Sequence, residues 1–138
     1  MARLLALATL LLAPAVAHAD TVIRIAVIEN APVLEARAEG LRIRALTDDG
    51  FYEPVSAGAV RLVRRADGVA WGDGQPAPVA KLRADGPIAI GDKLVRGAVE
   101  VLPHGAGLLA VNELPMETYL AAVLGSEKIG RASCRERV

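Results

Sequence analysis

The sequence predicts a β-rich α+β domain, with short antiparallel strands and a hairpin leading into one helix. Three observations carry that expectation. Between Asp20 and about Asn112, apolar residues recur at alternate positions in short runs, the period of half-buried strands. Turn-forming residues separate the runs, at Asp48-Asp49-Gly50, Asp67-Gly68, Gly72-Asp73-Gly74 and Asp85-Gly86-Pro87. From Pro115 onward the apolar spacing changes to threes and fours, the period of an α-helix.

Taken in order, the chain of 138 residues begins with MARLLALATLLLAPAVAHA. A basic Arg3, an apolar run from Leu4 to Val16 and the small-x-small end Ala17-His18-Ala19 form the pattern of a secretory signal peptide. Residues 1–19 are therefore expected to be removed, which leaves an exported chain with no stable membrane span. TVIRIAVI then places Ile23, Ile25 and Val27 on one face of a strand. LRIRAL alternates Leu41, Ile43 and Ala45 with Arg42 and Arg44, as a strand with one wet face does. Val60–Val63 and Val79–Leu82 are shorter strand candidates. KLVRGAVEVLP sets Val95, Gly97, Val99 and Val101 on one face, His104-Gly105-Ala106-Gly107 turns the chain, and GLLAVN returns it. The expectation is a hairpin from Lys93 to Asn112.

In PMETYLAAVL the apolar residues Met116, Tyr119, Leu120, Val123 and Leu124 form one helical stripe. Pro115 suits the first helical position, Glu117 favours the dipole of the first turn, and Gly125 is a natural stop. A stripe on so short a helix lacks a partner to bury it, so the domain is expected to be incomplete.

Composition excludes several function classes. Between residues 20 and 127 eleven basic side chains face fifteen acidic ones, an acidic balance unsuited to a nucleic-acid partner. Cys134 is the single cysteine, so there is no disulfide framework. Only Phe51, Tyr52, Trp71 and Tyr119 are aromatic, so the core must be aliphatic. Outside the signal segment His104 is the lone histidine, in a glycine-rich turn, and neither a zinc ligand set nor a nucleophile elbow can be assembled. No phosphate-binding loop is present, and neither metal nor cofactor is expected.

Carboxylates remain. Glu113, Glu117 and Glu127 fall within one short stretch. Glu113 and Glu117 flank the helix start, where acids are common for electrostatic reasons alone. Glu127 follows the expected helix stop, at a corner from which a side chain can face a cleft. A glutamic acid kept protonated in a partly apolar site can donate to a glycosidic oxygen, whereas most exposed acids are merely solvated.

The stretch LVRGAVEVLPHGAGLLAVNELPMETYLAAVLGSE resembles the SpoIID/LytB family, that of stage II sporulation protein D and the amidase-enhancer-like proteins. The resemblance rests on Arg96-Gly97, on Val111-Asn112-Glu113-Leu114-Pro115, and on Glu117, Tyr119-Leu120, Val123 and Ser126-Glu127. It covers residues 94–127 and is weak before them. It implies a cell-envelope protein, periplasmic or extracellular, whose partner is peptidoglycan and whose second partner is a cell-wall amidase. Its sporulation-type members are lytic transglycosylases that cleave MurNAc–GlcNAc bonds of glycan strands stripped of peptides. On that resemblance Glu127 is the catalytic acid, and Asn112, Glu113, Glu117 and Ser126 support it. Two other classes stay open: a non-catalytic envelope module acting on an amidase, and a secreted structural β-domain.

After Ser126-Glu127 the family pattern continues Met-Pro, and this chain has Lys128-Ile129. KIGRASCRERV carries four basic residues against one acid and the lone cysteine. GRASCRERV resembles translated vector or adapter sequence, although basic tails also occur as solvated termini. The expected organisation is thus a signal peptide at 1–19, the N-terminal part of a SpoIID/LytB-like domain at 20–127, and an extraneous tail at 128–138 that leaves the chain inactive.

Overall fold

The computed structural model describes residues 20–47 and 50–135, with residues 126–135 described by their backbone. The expected signal segment, the Asp48-Asp49 part of one turn and residues 136–138 lie outside the described residues. The fold is a β-rich α+β one: among the described residues, eleven strands in two antiparallel sheets, with one short 3-10 turn at Ser56–Gly58, precede a single α-helix.

The six-stranded sheet has the order β1 (Val22–Ala31), β11 (Gly107–Pro115), β10 (Ala98–His104), β7 (Ala80–Arg83), β3 (Arg42–Ala45), β4 (Glu53–Pro54). The five-stranded sheet has the order β6 (Gly68–Ala70), β5 (Ala59–Arg65), β2 (Val33–Arg37), β8 (Ile88–Ile90), β9 (Lys93–Val95). One face of each contributes to a common aliphatic core: Leu34, Leu62 and Ile90 from the smaller sheet meet Leu82, Val101 and Leu108 from the larger. Each such side chain gains roughly 1.5–3 kcal/mol by leaving water. As composition requires, no aromatic residue is fully buried there, and Trp71 packs at the margin.

Strand period explains the inside and outside of each element. In β3, Ile43 is buried and Arg42 exposed, and in β1 the inward positions are Ile23 and Ile25. Period does not explain how the chain changes sheets. β1 bulges between Ala26 and Ile28 and again before Ala31, with Asn30 at φ 57°. Only Pro32 then separates it from β2, so nearly continuous extended chain crosses from the larger sheet to the smaller. Bulges and bends of this kind make the corners of packed sheets.

The second crossing corrects the expected hairpin. Lys93–Val95 pairs with β8 in the smaller sheet, and the hairpin proper runs from Ala98 to Pro115, with Ala98 opposite Glu113 and His104 opposite Gly107. The break is Gly97, at φ 85°, where a Cβ would stand 2.4 Å from the carbonyl oxygen of Glu113. A strand pattern that counts Gly97 as an ordinary inward position cannot register that turn.

Pro115 closes β11 opposite Val22, and α1 (Met116–Arg135) starts one residue later, its Met116 N–H donating to the carbonyl of Thr21 at 2.8 Å. The helix does not stop at Gly125, as expected, but continues to Arg135. Gly125 keeps a negative φ rather than the left-handed turn of a C-cap. A glycine inside a helix costs only about 1 kcal/mol, and alanines and long side chains on both sides favour continuation. The apolar stripe is present as the spacing predicts, and it faces outward: Tyr119, Leu120 and Leu124 are 36%, 47% and 57% exposed.

Candidate functional site

On the outer face of the larger sheet, four charged side chains from four neighbouring strands meet. Cross-strand register sets Arg24 of β1 opposite Glu113 of β11, and Glu100 of β10 opposite Lys81 of β7. Arg24 Nη2 donates to Glu100 Oε2 at 2.5 Å, and its Nη1 lies 3.7 Å from Glu113 Oε2. Lys81 Nζ reaches Glu113 Oε1 at 3.0 Å and Glu100 Oε1 at 3.5 Å. Lys81 can cross over β10 to reach Glu113 because Ala98, directly opposite Glu113, is too small to block it. Glu100 and Lys81 are almost wholly buried, with side chains 7% and 10% exposed, so each requires the other's charge.

That clamp determines the state of Glu113. The hydrogen bond from Lys81, with the Lys81 and Arg24 charges, holds its carboxyl below the usual glutamate range, against the opposing effect of burial. Glu113 is a carboxylate, and a carboxylate cannot donate the proton that glycosidic cleavage needs.

Beside the clamp lies a cleft of about 490 Å³. Its charged lining is Arg42, Arg83, Asp85, Arg96 and Glu113, and Val22, Leu114 and Pro115 form an apolar wall. Asn112, 5% exposed, is buried next to the lining residue Glu113. Its Nδ2 donates to the carbonyl oxygens of Arg96 at 2.6 Å and Ala98 at 3.1 Å, holding the chain where it changes sheets at Gly97. Two stretches fifteen residues apart, Arg96–Ala98 and Glu113–Pro115, thereby line one cleft.

No family model, curated protein or solved structure matches this chain.

Of the residues singled out from sequence, Glu113 lines the cleft, and Asn112 lies next to it in β11, tied to the Arg96 and Ala98 carbonyls. Glu117 does not join them: it lies exposed in the first turn of α1. The corner expected at Glu127 is instead helix, since positions 126 and 127 lie within α1, and position 127 is roughly 16 Å along the axis from Met116. The side chains of Ser126 and Glu127 lie outside the described residues. Helical period puts position 127 on the same face as Leu120, Val123 and Leu124. Among the described residues, no group of three or more His, Cys, Asp or Glu is placed to hold a metal ion, and no helix is long and apolar enough to cross a membrane.

Sequence reasoning did not single out Arg24, Lys81 and Glu100. Each occupies an outward position of its strand, where a charged residue is ordinary. What joins them is register between strands far apart in sequence, and no local signal carries that.

Proposed function

We propose that the chain is part of a peptidoglycan-active cell-envelope protein whose parent cleaves MurNAc–GlcNAc bonds as a lytic transglycosylase. What supports the reading is the convergence of Arg96-Gly97 with Glu113–Pro115 on one cleft. These are among the residues on which the family resemblance rests, and Asn112, another of them, ties the two stretches together. In this mechanism one carboxyl group protonates the leaving glycosidic oxygen. As carboxylate it then helps the sugar's own hydroxyl close on the anomeric carbon, leaving an anhydro-sugar end, so that no second carboxylate need activate water. The ion-paired Glu113 cannot be the donor, and Asp85 is paired with Arg42 at 3.3 Å. On the family resemblance the acid role falls to Glu127, with Asn112 and Glu113 as positioning residues.

The test uses the protein encoded by the gene amplified from source DNA and sequenced across the codons for Ser126 to Gly130. Release of anhydro-muropeptides from peptide-free glycan by that protein, abolished by Glu127→Gln, is the expected result. Release unchanged by Glu127→Gln overturns the acid assignment. A second reading, a non-catalytic module that binds glycan or assists an amidase, draws on the ionised state of Glu113. It predicts glycan binding or stimulation of an amidase with no anhydro product at all.

A further inference from the structure

The cleft's charges do not cancel. Glu113 is already compensated from outside the cleft by Lys81 and Arg24, and Asp85 is shared with Arg42. Arg83 and Arg96 are left, and among the described residues neither has an anionic partner. Arg83 is held at its guanidinium and Arg96 at its backbone. The Arg83 guanidinium lies 5.3 Å from the centroid of the Tyr52 ring, a cation–π distance that fixes it while leaving its N–H groups available. The backbone carbonyl of Arg96 is tied by Asn112, and the next residue is Gly97, in a left-handed conformation. Two guanidinium forks lining one cleft are a usual means of gripping an oxyanion.

The kind of oxyanion follows from what stands beside those two arginines. Asp85 and Glu113, although already paired, are part of the same lining, so a bound group meets two carboxylates as well as two guanidinium groups, which favours one negative charge over two. A dianionic phosphate would meet Asp85 and Glu113 at close range as like charges. The volume lies within the range of small-ligand sites, and Val22, Leu114 and Pro115 add an apolar part to the lining. From this geometry we infer that the cleft binds the carboxylate of an acidic sugar, with Arg83 and Arg96 as its two donors. The choice of a carboxylate comes from the cleft. The choice of a sugar rests on the proposed function, under which the group is the lactyl carboxylate of MurNAc freed of its peptide, the one anionic group in the MurNAc–GlcNAc repeat.

The experiment is a titration of the full chain, followed through its backbone amide resonances at constant ionic strength. The probes are N-acetylmuramic acid, N-acetylglucosamine, glucuronic acid and inorganic phosphate. The expected result is that N-acetylmuramic acid shifts the amides of Arg96, Gly97 and Ala98 while N-acetylglucosamine, lacking the carboxylate, does not. Losing both guanidinium groups in Arg83→Gln with Arg96→Gln should weaken that binding roughly tenfold or more. The Arg83→Lys and Arg96→Lys forms, which keep the charge and lose the fork, should fall between. Glucuronic acid separates the two ideas: arginine-dependent binding of glucuronic but not N-acetylmuramic acid keeps the acidic-sugar site and removes peptidoglycan as its source. Binding of N-acetylglucosamine equal to that of N-acetylmuramic acid, tighter binding of phosphate than of either acid, or affinity indifferent to the arginine changes overturns the inference.

Discussion

Glu100→Gln should destabilise the domain by about 3 kcal/mol, although the change keeps the side chain's volume and shape. At an effective dielectric of about 20, contacts at 2.5 Å with Arg24 and 3.5 Å with Lys81 correspond to roughly 7 and 5 kcal/mol of gross attraction. Desolvating a carboxylate that is only 7% exposed returns most of that, so the pair itself adds little to stability. Removing one partner is different, because Lys81 keeps its burial penalty and retains Glu113 alone. Breaking a buried pair costs about 3–5 kcal/mol, and the half-exposed Arg24, which water can re-solvate, places this one at the low end. For a domain stabilised by about 5–15 kcal/mol in all, that loss is large. Urea unfolding of wild type and variant, at unchanged m-value, measures it directly. Adding Lys81→Met to Glu100→Gln should cost less than the sum of the two single changes, since the double variant no longer buries an ammonium that has lost one of its two partners. A loss under about 0.5 kcal/mol for Glu100→Gln, the size of an ordinary surface change, would refute the claim that these charges are buried and coupled.

Three further outcomes test the same architecture. Asn112→Ala removes the two donors that tie Arg96 and Ala98 and should cost about 2 kcal/mol, with amide shifts concentrated at residues 96–98. Gly97→Ala should cost at least about 1–2 kcal/mol from the left-handed backbone alone, plus the clash with the Glu113 carbonyl, and a neutral result by urea midpoint would remove the strained crossing. Because the carboxyl of Glu113 is held below its unfolded value of about 4.3, its contribution is complete above that pH and is lost as pH falls through the lower folded value. The urea midpoint should therefore decline on acidification below about pH 4.3, and Glu113→Gln should make that decline shallower.

How far the sequence could be read follows from the range of each interaction. The hairpin's turn at His104–Gly107 and the alternation beside it were legible because they are local. Its start was not: alternation puts it at Lys93 instead of Ala98, because the sheet change at Gly97 leaves the alternation unbroken. The aliphatic core followed from composition. The start of α1 and its stripe followed from period. Its end did not, because a single glycine amid helix formers is compatible with either a stop or a passage, and only the sign of φ at Gly125 decides between them. β2 was missed because VLEAR follows β1 after a lone Pro32 and reads as the same strand, although it belongs to the other sheet. Asn112 could be named from the resemblance but not explained by it. Its role depends on carbonyl groups fourteen and sixteen residues earlier, which the crossing at Gly97 brings beneath its amide.

The clamp and the cleft are consequences of one arrangement. Ala98 is small, so Lys81 can pass over β10 to Glu113, and the same small side chain leaves the space that Arg96 and Arg83 border. A larger residue at 98 would both separate Lys81 from Glu113 and fill the cleft. Were the network only a means of burying two charges, a hydrophobic replacement of similar volume would serve as well or better. What an apolar pair could not provide is a fixed carboxylate beside two uncompensated guanidinium groups. The ionised Glu113 stands in the cleft lining as a fixed negative charge, favouring a monoanion over a dianion, and it does so from a position where it cannot serve as the acid. Binding and proton donation are thereby assigned to different elements: the sheet holds the anionic group, and any donor must come from elsewhere, which under the proposed function is Glu127 on α1.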